Sequence, residues 1–210
     1  MTMTLLYATS NCAKIETMQR RLAPLGITLI GLKEMEQKGF DIPEVDETGK
    51  SPLENARIKA KAYYDLFQMP VFSCDTGLYF DNLPEEYQPG VHVRHINGTC
   101  LTDEEMVVYY SGLAKKFGTL TGRYRNAICF YIDNSHIYES MDDSLSGKPF
   151  LLVEQPRDKV RRAGFPLDSI SLEIESGKYY YDMCVKKLDE VAMDEGFCKF
   201  FQEILFPLSK

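Results

Sequence analysis

The apolar positions of the chain alternate between two rhythms. Thr4-Leu5-Leu6-Tyr7-Ala8 is a short continuous run with the length of a buried strand, and it breaks at Thr9-Ser10-Asn11. Ile15, Met18, Leu22 and Leu25 then keep helical spacing, which predicts a helix from about Cys12 to Ala23 that Pro24 ends. A second apolar run, Ile27 to Leu32, completes a βαβ start and points to a parallel pair of strands in an α/β fold. Ser51-Pro52-Leu53-Glu54 places a capping serine, a proline at the first helical position and a glutamate three residues after the cap, so a helix should run from Pro52 to about Gln68. Pro70 to Cys74 reads as the next strand, stopping at Asp75-Thr76-Gly77.

Thr102-Asp103-Glu104-Glu105 repeats the capping signature and should open a helix to about Lys116. Tyr124 to Ile132 and His136 to Met141 flank Asp133-Asn134-Ser135, a turn-forming triplet, and read as a β-hairpin. Beyond Pro149 the pattern predicts a strand near Phe150 to Val153, a Gly164-Phe165-Pro166 loop and a last helix near Asp194 to Leu205.

Composition narrows the function classes. The 210 residues are 44% hydrophobic and 26% charged, too apolar for a disordered chain and long enough for one or two lobes. A net charge of −7 supplies no basic field for a nucleic-acid polymer, so a small ligand or a protein partner is expected. No apolar stretch approaches a membrane span, and the first residues carry no secretion signal. The six cysteines form no C-x-x-C pair and are expected to be reduced thiols of a cytoplasmic protein.

Two tempting motifs fall away. Thr48-Gly49-Lys50-Ser51 imitates the end of a phosphate-binding P-loop, but that loop needs a glycine where this chain has Glu44. His92 and His95 are three apart, yet no cysteine or carboxylate cluster completes a zinc site around them. What remains is a set of three strand-to-helix junctions, each polar where the chain leaves the sheet, the kind of edge at which open α/β proteins bind ligands. Thr9-Ser10-Asn11 with Lys14 offers hydroxyls, helix-start amides and a cation, a cradle for phosphates or simply a helix cap. Glu47-Thr48-Gly49 precedes a helix on which Asn55 and Lys59, four apart, share one face. There Glu47 is free to reach a metal, or is only a loop acid. Asp75, at the expected strand end, could form an Asx-turn or join a second carboxylate in holding Mg²⁺, which binds through one or two carboxylates plus substrate phosphates.

Taken in order, Leu6-Tyr7-Ala8-Thr9-Ser10-Asn11-x-x-Lys14, Glu47-Thr48-Gly49-x-Ser51-x-x-Glu54-Asn55-Ala56-x-x-Lys59-Ala60, Asp75-Thr76-Gly77-Leu78 and Pro89-Gly90-Val91 resemble the inosine/xanthosine triphosphate pyrophosphatases, the HAM1-like family that clears non-canonical purine nucleotides. Gly164-Phe165-Pro166-Leu167-Asp168 is similar to that family's base-binding loop, with two positions changed. The resemblance implies a single domain over residues 1–210, made of two lobes, with an elongated mixed central sheet flanked by helices and a substrate cleft between the lobes. It implies hydrolysis of a nucleoside triphosphate to the monophosphate and pyrophosphate, with Glu47 and Asp75 as Mg²⁺ ligands and Asp75 orienting or deprotonating the water. Lys14 and Lys59 would hold the triphosphate with Thr9, Ser10, Asn11, Asn55 and Thr76, while Phe165 would stack on the base and Asp168 would bond near its edge. A homodimer is expected on the same ground, alongside the cytoplasmic setting and the lack of nucleic-acid and membrane partners that composition predicts.

The departures matter as well. Ser10 replaces the glycine of the family's first motif, and Cys74 replaces the first of its paired aspartates. The S-H-R motif that reads the purine carbonyl is absent, with Met193-Asp194-Glu195-Gly196-Phe197 in its place. Ionised carboxylates cannot donate hydrogen bonds to a carbonyl. A same-fold pyrophosphatase acting on another base, and a non-catalytic nucleotide-binding protein, therefore both remain open at the level of sequence.

Overall fold

Asn11 performs the capping role its position predicts: its Oδ1 accepts the amides of Ala13 and Lys14 at 3.0 and 3.3 Å, and the first helix begins there. The computed structural model describes residues 3–157, 164–184, 187–188 and 195–206. In chain order the elements are β1 Met3–Tyr7, α1 Cys12–Leu22, β2 Ile27–Gly31, α2 Leu32–Gln37, α3 Pro52–Phe67, β3 Val71–Phe80, β4 His95–Ile96, β5 Thr99–Cys100, α4 Asp103–Phe117, β6 Leu120–Tyr131, β7 Ile137–Ser140, β8 Phe150–Leu152, β9 Ser171–Glu173 and α5 Glu195–Leu205, with short 3₁₀ turns between several of them. They form two compact units.

The first unit comprises residues 1–76, 126–145 and 194–210. β1 pairs in parallel with β2 on one side and with β3 on the other, the pattern the βαβ reading predicts. Strand order there is β2-β1-β3-β6, and β7 lies antiparallel on β6, closing the predicted hairpin. Asp133 fastens the hairpin turn by accepting the Ser135 and His136 amides. One apolar cluster joins Leu5, Tyr7, Met18, Leu22, Phe72, Phe130, Phe197 and Phe201, which is where the spaced residues of α1 and the aromatic face of α5 are buried. A second joins Leu6, Leu32, Met35, Tyr63, Tyr64 and Val71, with Ile42 and Val45 packed against it.

The second unit comprises residues 77–125 and 146–193. Here β8 lies antiparallel between β6 and β9, and α4 buries Met106, Val107, Tyr110, Leu113 and Ala114 against Leu78, Phe80, Leu120, Phe150 and Leu152. The Thr102 capping box is complete: its hydroxyl accepts the Glu105 amide, and the Glu105 carboxylate accepts the Thr102 amide at 2.8 Å.

Two expectations are corrected. β3 does not stop at Cys74 but continues through Asp75-Thr76-Gly77 to Phe80. These three residues read as a turn because such residues bond their own backbone in turns. Here Asp75 and Thr76 find side-chain partners on neighbouring elements, so the strand has no need to turn. The segment before α3 is preceded by helix α2 and an irregular stretch, so the second junction does not leave a strand. The expected last helix is present from Glu195; Asp194 lies outside the described residues.

Candidate functional site

The irregular segment 38–50 is pinned from beneath. Ile42 and Val45 pack on the Tyr63–Tyr64 cluster, and the Tyr63 hydroxyl donates to the Pro43 carbonyl at 3.0 Å, which delivers Glu47 to the start of α3. The turn into α3 is then closed by its own polar groups. Ser51 Oγ accepts the Glu54 amide and the Glu54 carboxylate takes the Lys50 amide at 2.7 Å, so Glu54 serves the loop. The Gly49 amide donates to Asn55 Oδ1 at 2.8 Å. A Cβ on Gly49 would meet that same Oδ1 at 2.6 Å, so only glycine lets the loop approach so closely. The apparent P-loop ending is thus a helix-start turn built on Asn55.

Asn55 is 3% exposed, and its orientation follows from Gly49. With Oδ1 committed to an amide donor, Nδ2 must face the other way, and it donates to Asp75 Oδ2 at 3.1 Å. Lys59, one turn further along the same face of α3, places Nζ 3.5 Å from Asp75 Oδ1 and 2.9 Å from Glu47 Oε2. The side chains of Lys59 and Asp75 are each 14% exposed, and that of Glu47 is 42% exposed. Glu47 is therefore not a free carboxylate: a single ammonium joins it to Asp75.

Strand alternation assigns the other residues. Cys74 and Thr76 point away from the face that carries Asp75. Cys74 packs against Tyr7 among the apolar residues beneath α1 and α5. Burial pushes its thiol up to about 12 despite the positive charges of Lys14, Arg21 and Lys59, and burial also raises the Tyr7 phenol. Lys14, exposed in the first turn of α1, is close enough to act on that thiol. Thr9 accepts the Asn11 amide at 3.2 Å, and Ser10 is exposed. The structure thus gathers Glu47, Asn55, Lys59 and Asp75 into one hydrogen-bonded cluster and sets Thr9, Ser10, Asn11 and Lys14 around the start of α1.

Asn126 was not anticipated. The Thr76 hydroxyl donates to its Oδ1 at 2.8 Å, and its Nδ2 donates to the Leu145 carbonyl at 2.7 Å. Its only sequence signal is an amide placed ahead of the apolar stretch of β6. Phe165 and Asp168 belong to the second unit. There Gly164 adopts φ +82°, Phe165 is 40% exposed at the start of a 3₁₀ turn, and burial, with the negative charge of Asp168 adding to it, raises the phenols of Tyr124 and Tyr180. His92 and His95 are both exposed, and no group of three or more metal-ligating side chains occurs among the described residues.

Glu47 and Asp75 thus share the single ammonium of Lys59 at the start of α3 of an α/β protein. Comparison with known proteins supplies the family. The family model for the Ham1 family matches residues 5–183, and the chain belongs to that family. Among curated relatives, the dITP/XTP pyrophosphatase of Rhodopseudomonas palustris is 32% identical over 173 residues, which are 80% of this chain and 76% of that one. The dITP/XTP pyrophosphatase of Leptospira biflexa is 28% identical over 208 residues, covering 96% of this chain and 98% of its own. The fold matches a solved HAM1 protein from Coxiella burnetii with a TM-score of 0.75 at 20% identity, over 98% of this chain and 100% of that one.

Proposed function

We propose that this chain is an enzyme that hydrolyses non-canonical purine nucleoside triphosphates, inosine and xanthosine triphosphate and their deoxy forms, to the monophosphate and pyrophosphate. The observation that carries the reading is the seating of Lys59 between Glu47 and Asp75, with Asp75 held from its other oxygen by Asn55. The names of the curated relatives support the substrate class.

The donor set suits Mg²⁺. It offers two carboxylates and no third ligating side chain among the described residues, as expected of an ion that completes its shell with water and substrate phosphates. The Lys59 ammonium already stands where a positive charge is favoured between the two carboxylates. When bound, Mg²⁺ neutralises phosphate oxygens and lowers the pKa of water. Glu47 and Asp75 would hold it, and Lys59 would set its ammonium against the phosphates and offset the charge that develops on them. Asp75, with one oxygen fixed by Asn55, keeps a lone pair to orient the attacking water and take its proton. Lys14, in the first turn of α1, takes the remaining phosphate charge. Phe165 offers an exposed ring to the base.

Turnover of inosine, xanthosine, adenosine, guanosine and pyrimidine triphosphates, scored for pyrophosphate with and without Mg²⁺, tests this reading. Release of pyrophosphate from the 6-oxopurine nucleotides supports it. Nucleotide binding with no pyrophosphate from any substrate overturns it in favour of a binding protein. No helix among the described residues is long and apolar enough to cross a membrane.

A further inference from the structure

Arg125 is a cation without an acid. Its guanidinium, partly buried on β6, meets no carboxylate or carbonyl among the described residues, in a chain whose net charge is −7. It meets an aromatic ring instead, with Cζ 5.8 Å from the centroid of Tyr79. β3 and β6 are neighbours in the sheet; the Asp81 amide donates to the Thr121 carbonyl at 3.0 Å, and Thr76 meets Asn126 further back along β3 and further on along β6. The two strands are therefore antiparallel, with Arg125 opposite Gly77 on one face and Tyr79 on the diagonal. A Cβ on Gly77 would fall 2.7 Å from Tyr79 Cε2 and 2.9 Å from its hydroxyl, so only glycine lets the ring fold back over the strand beside Arg125. Arg123, two residues earlier on the same face, is tied through Nε to the Gly147 carbonyl at 2.9 Å. Arg125 has no such tie: contact with the ring holds the group and leaves its N–H donors uncommitted.

We infer that Tyr79 and Arg125 form an oxyanion seat of the second unit, in which the Arg125 guanidinium takes phosphate oxygens through paired N–H···O bonds. Free donors on a partly buried guanidinium gain most from an acceptor that carries a full negative charge, because such bonds are roughly twice as strong as neutral ones. The fork of the guanidinium matches carboxylate and phosphate alike, and the choice of phosphate rests on the hydrolase reading. Tyr79 is the positioning residue: its ring keeps the group over the strand, and Gly77 gives the ring its place.

Calorimetry without divalent metal measures the affinity of the full chain for pyrophosphate and for inosine triphosphate, in the unaltered protein and in Arg125→Gln, Arg125→Lys, Tyr79→Phe and Tyr79→Leu. Arg125→Gln should weaken pyrophosphate binding about tenfold, the scale of hydrogen bonds to a charged group. Arg125→Lys should recover only part of that loss, because an ammonium keeps the charge but not the planar fork. Tyr79→Phe should bind as the unaltered protein does, whereas Tyr79→Leu should lose about threefold with the charge still present. Should Tyr79→Leu fail to fold, the two Arg125 variants decide. A loss shared by pyrophosphate and inosine triphosphate puts the substrate's own phosphates on Arg125, and a loss for pyrophosphate alone marks a separate phosphate seat; both support the inference. A loss confined to inosine triphosphate, a change below about twofold for both ligands in Arg125→Gln, or no binding of either by the unaltered chain overturns it. Full recovery by Arg125→Lys would leave a bare charge and overturn the stacked seat. These affinities are read without turnover, so a chain that binds pyrophosphate through Arg125 yet hydrolyses no triphosphate sinks the hydrolase reading and keeps the seat.

Discussion

Asn55 presents Asp75 with a donor and nothing else. Its carbonyl oxygen is taken by the Gly49 amide at 2.8 Å, so the nitrogen that reaches Asp75 at 3.1 Å cannot exchange places with it. The loop that carries Glu47 and the strand that carries Asp75 are therefore locked through one buried amide. Asn55→Leu should leave a buried amide and a carboxylate oxygen unpartnered and cost about 2 kcal/mol or more. For a chain of this size that lowers Tm by roughly 4–8 °C. An unchanged melting curve would show that the loop is held by other contacts.

Lys59 stands between two carboxylates, so its removal should open a cation site. Lys59→Met is expected to lose turnover by about two orders of magnitude, or ~2.7 kcal/mol of barrier. Its melting temperature should fall without Mg²⁺ and recover with it, because an ion bound only by the folded state stabilises that state. The unaltered protein, with its own ammonium in place, should gain less from the same addition. A rise in Tm with Mg²⁺ no larger in the variant than in the unaltered chain would contradict the assignment of Glu47 and Asp75 as the metal pair.

Away from the site, Arg57 and Glu139 tie α3 to β7 with two parallel hydrogen bonds, and Arg57 holds the Glu139 carboxyl below its ordinary value of 4.5. A carboxyl depressed in the folded state contributes stability above its unfolded pKa and loses it as pH falls through the folded one. The Tm gap between the unaltered protein and Glu139→Gln should be present at pH 7, begin to shrink below about pH 4.5 and close under stronger acid. Both side chains are well exposed, so the gap should be small and should narrow with salt. A gap independent of pH would mean that the pair does not carry the effect.

Phe165 is 40% exposed at the start of a 3₁₀ turn. Phe165→Ala should raise KM about tenfold for every base alike, because stacking is worth roughly 1–3 kcal/mol and tolerates any π-face. Tm should stay within about a degree, since a surface substitution seldom moves stability by more than about 0.5 kcal/mol. A base-selective change, or none, would remove Phe165 from the site.

The legible part of this structure was its local chemistry. Asn11, Ser51 and Thr102 announced their helices because a cap is a bond between near neighbours, and the 3.6-residue spacing of α1 found its buried face. Asn55 and Lys59 were placed together by helical spacing, and both do meet Asp75. Asp75-Thr76-Gly77 misled because the partners that keep β3 straight lie 20 and 50 residues away in sequence. Asn126 was missed for the same reason: nothing near it in sequence points to Thr76 or to the Leu145 carbonyl. The pairing of Glu47 with Lys59 was hidden as well, since it depends on Tyr63 anchoring Pro43 beneath the loop.

The most direct test of the account is the release of pyrophosphate from inosine triphosphate by the unaltered chain and by Asp75→Asn, each with and without Mg²⁺. Asparagine keeps the shape and the capacity to accept a hydrogen bond but removes the charge that faces Lys59 and that the proposed metal would need. The account predicts Mg²⁺-dependent pyrophosphate from the unaltered chain and a fall of two or more orders of magnitude in the variant, about 3 kcal/mol of barrier. Pyrophosphate released at an undiminished rate by Asp75→Asn would contradict it.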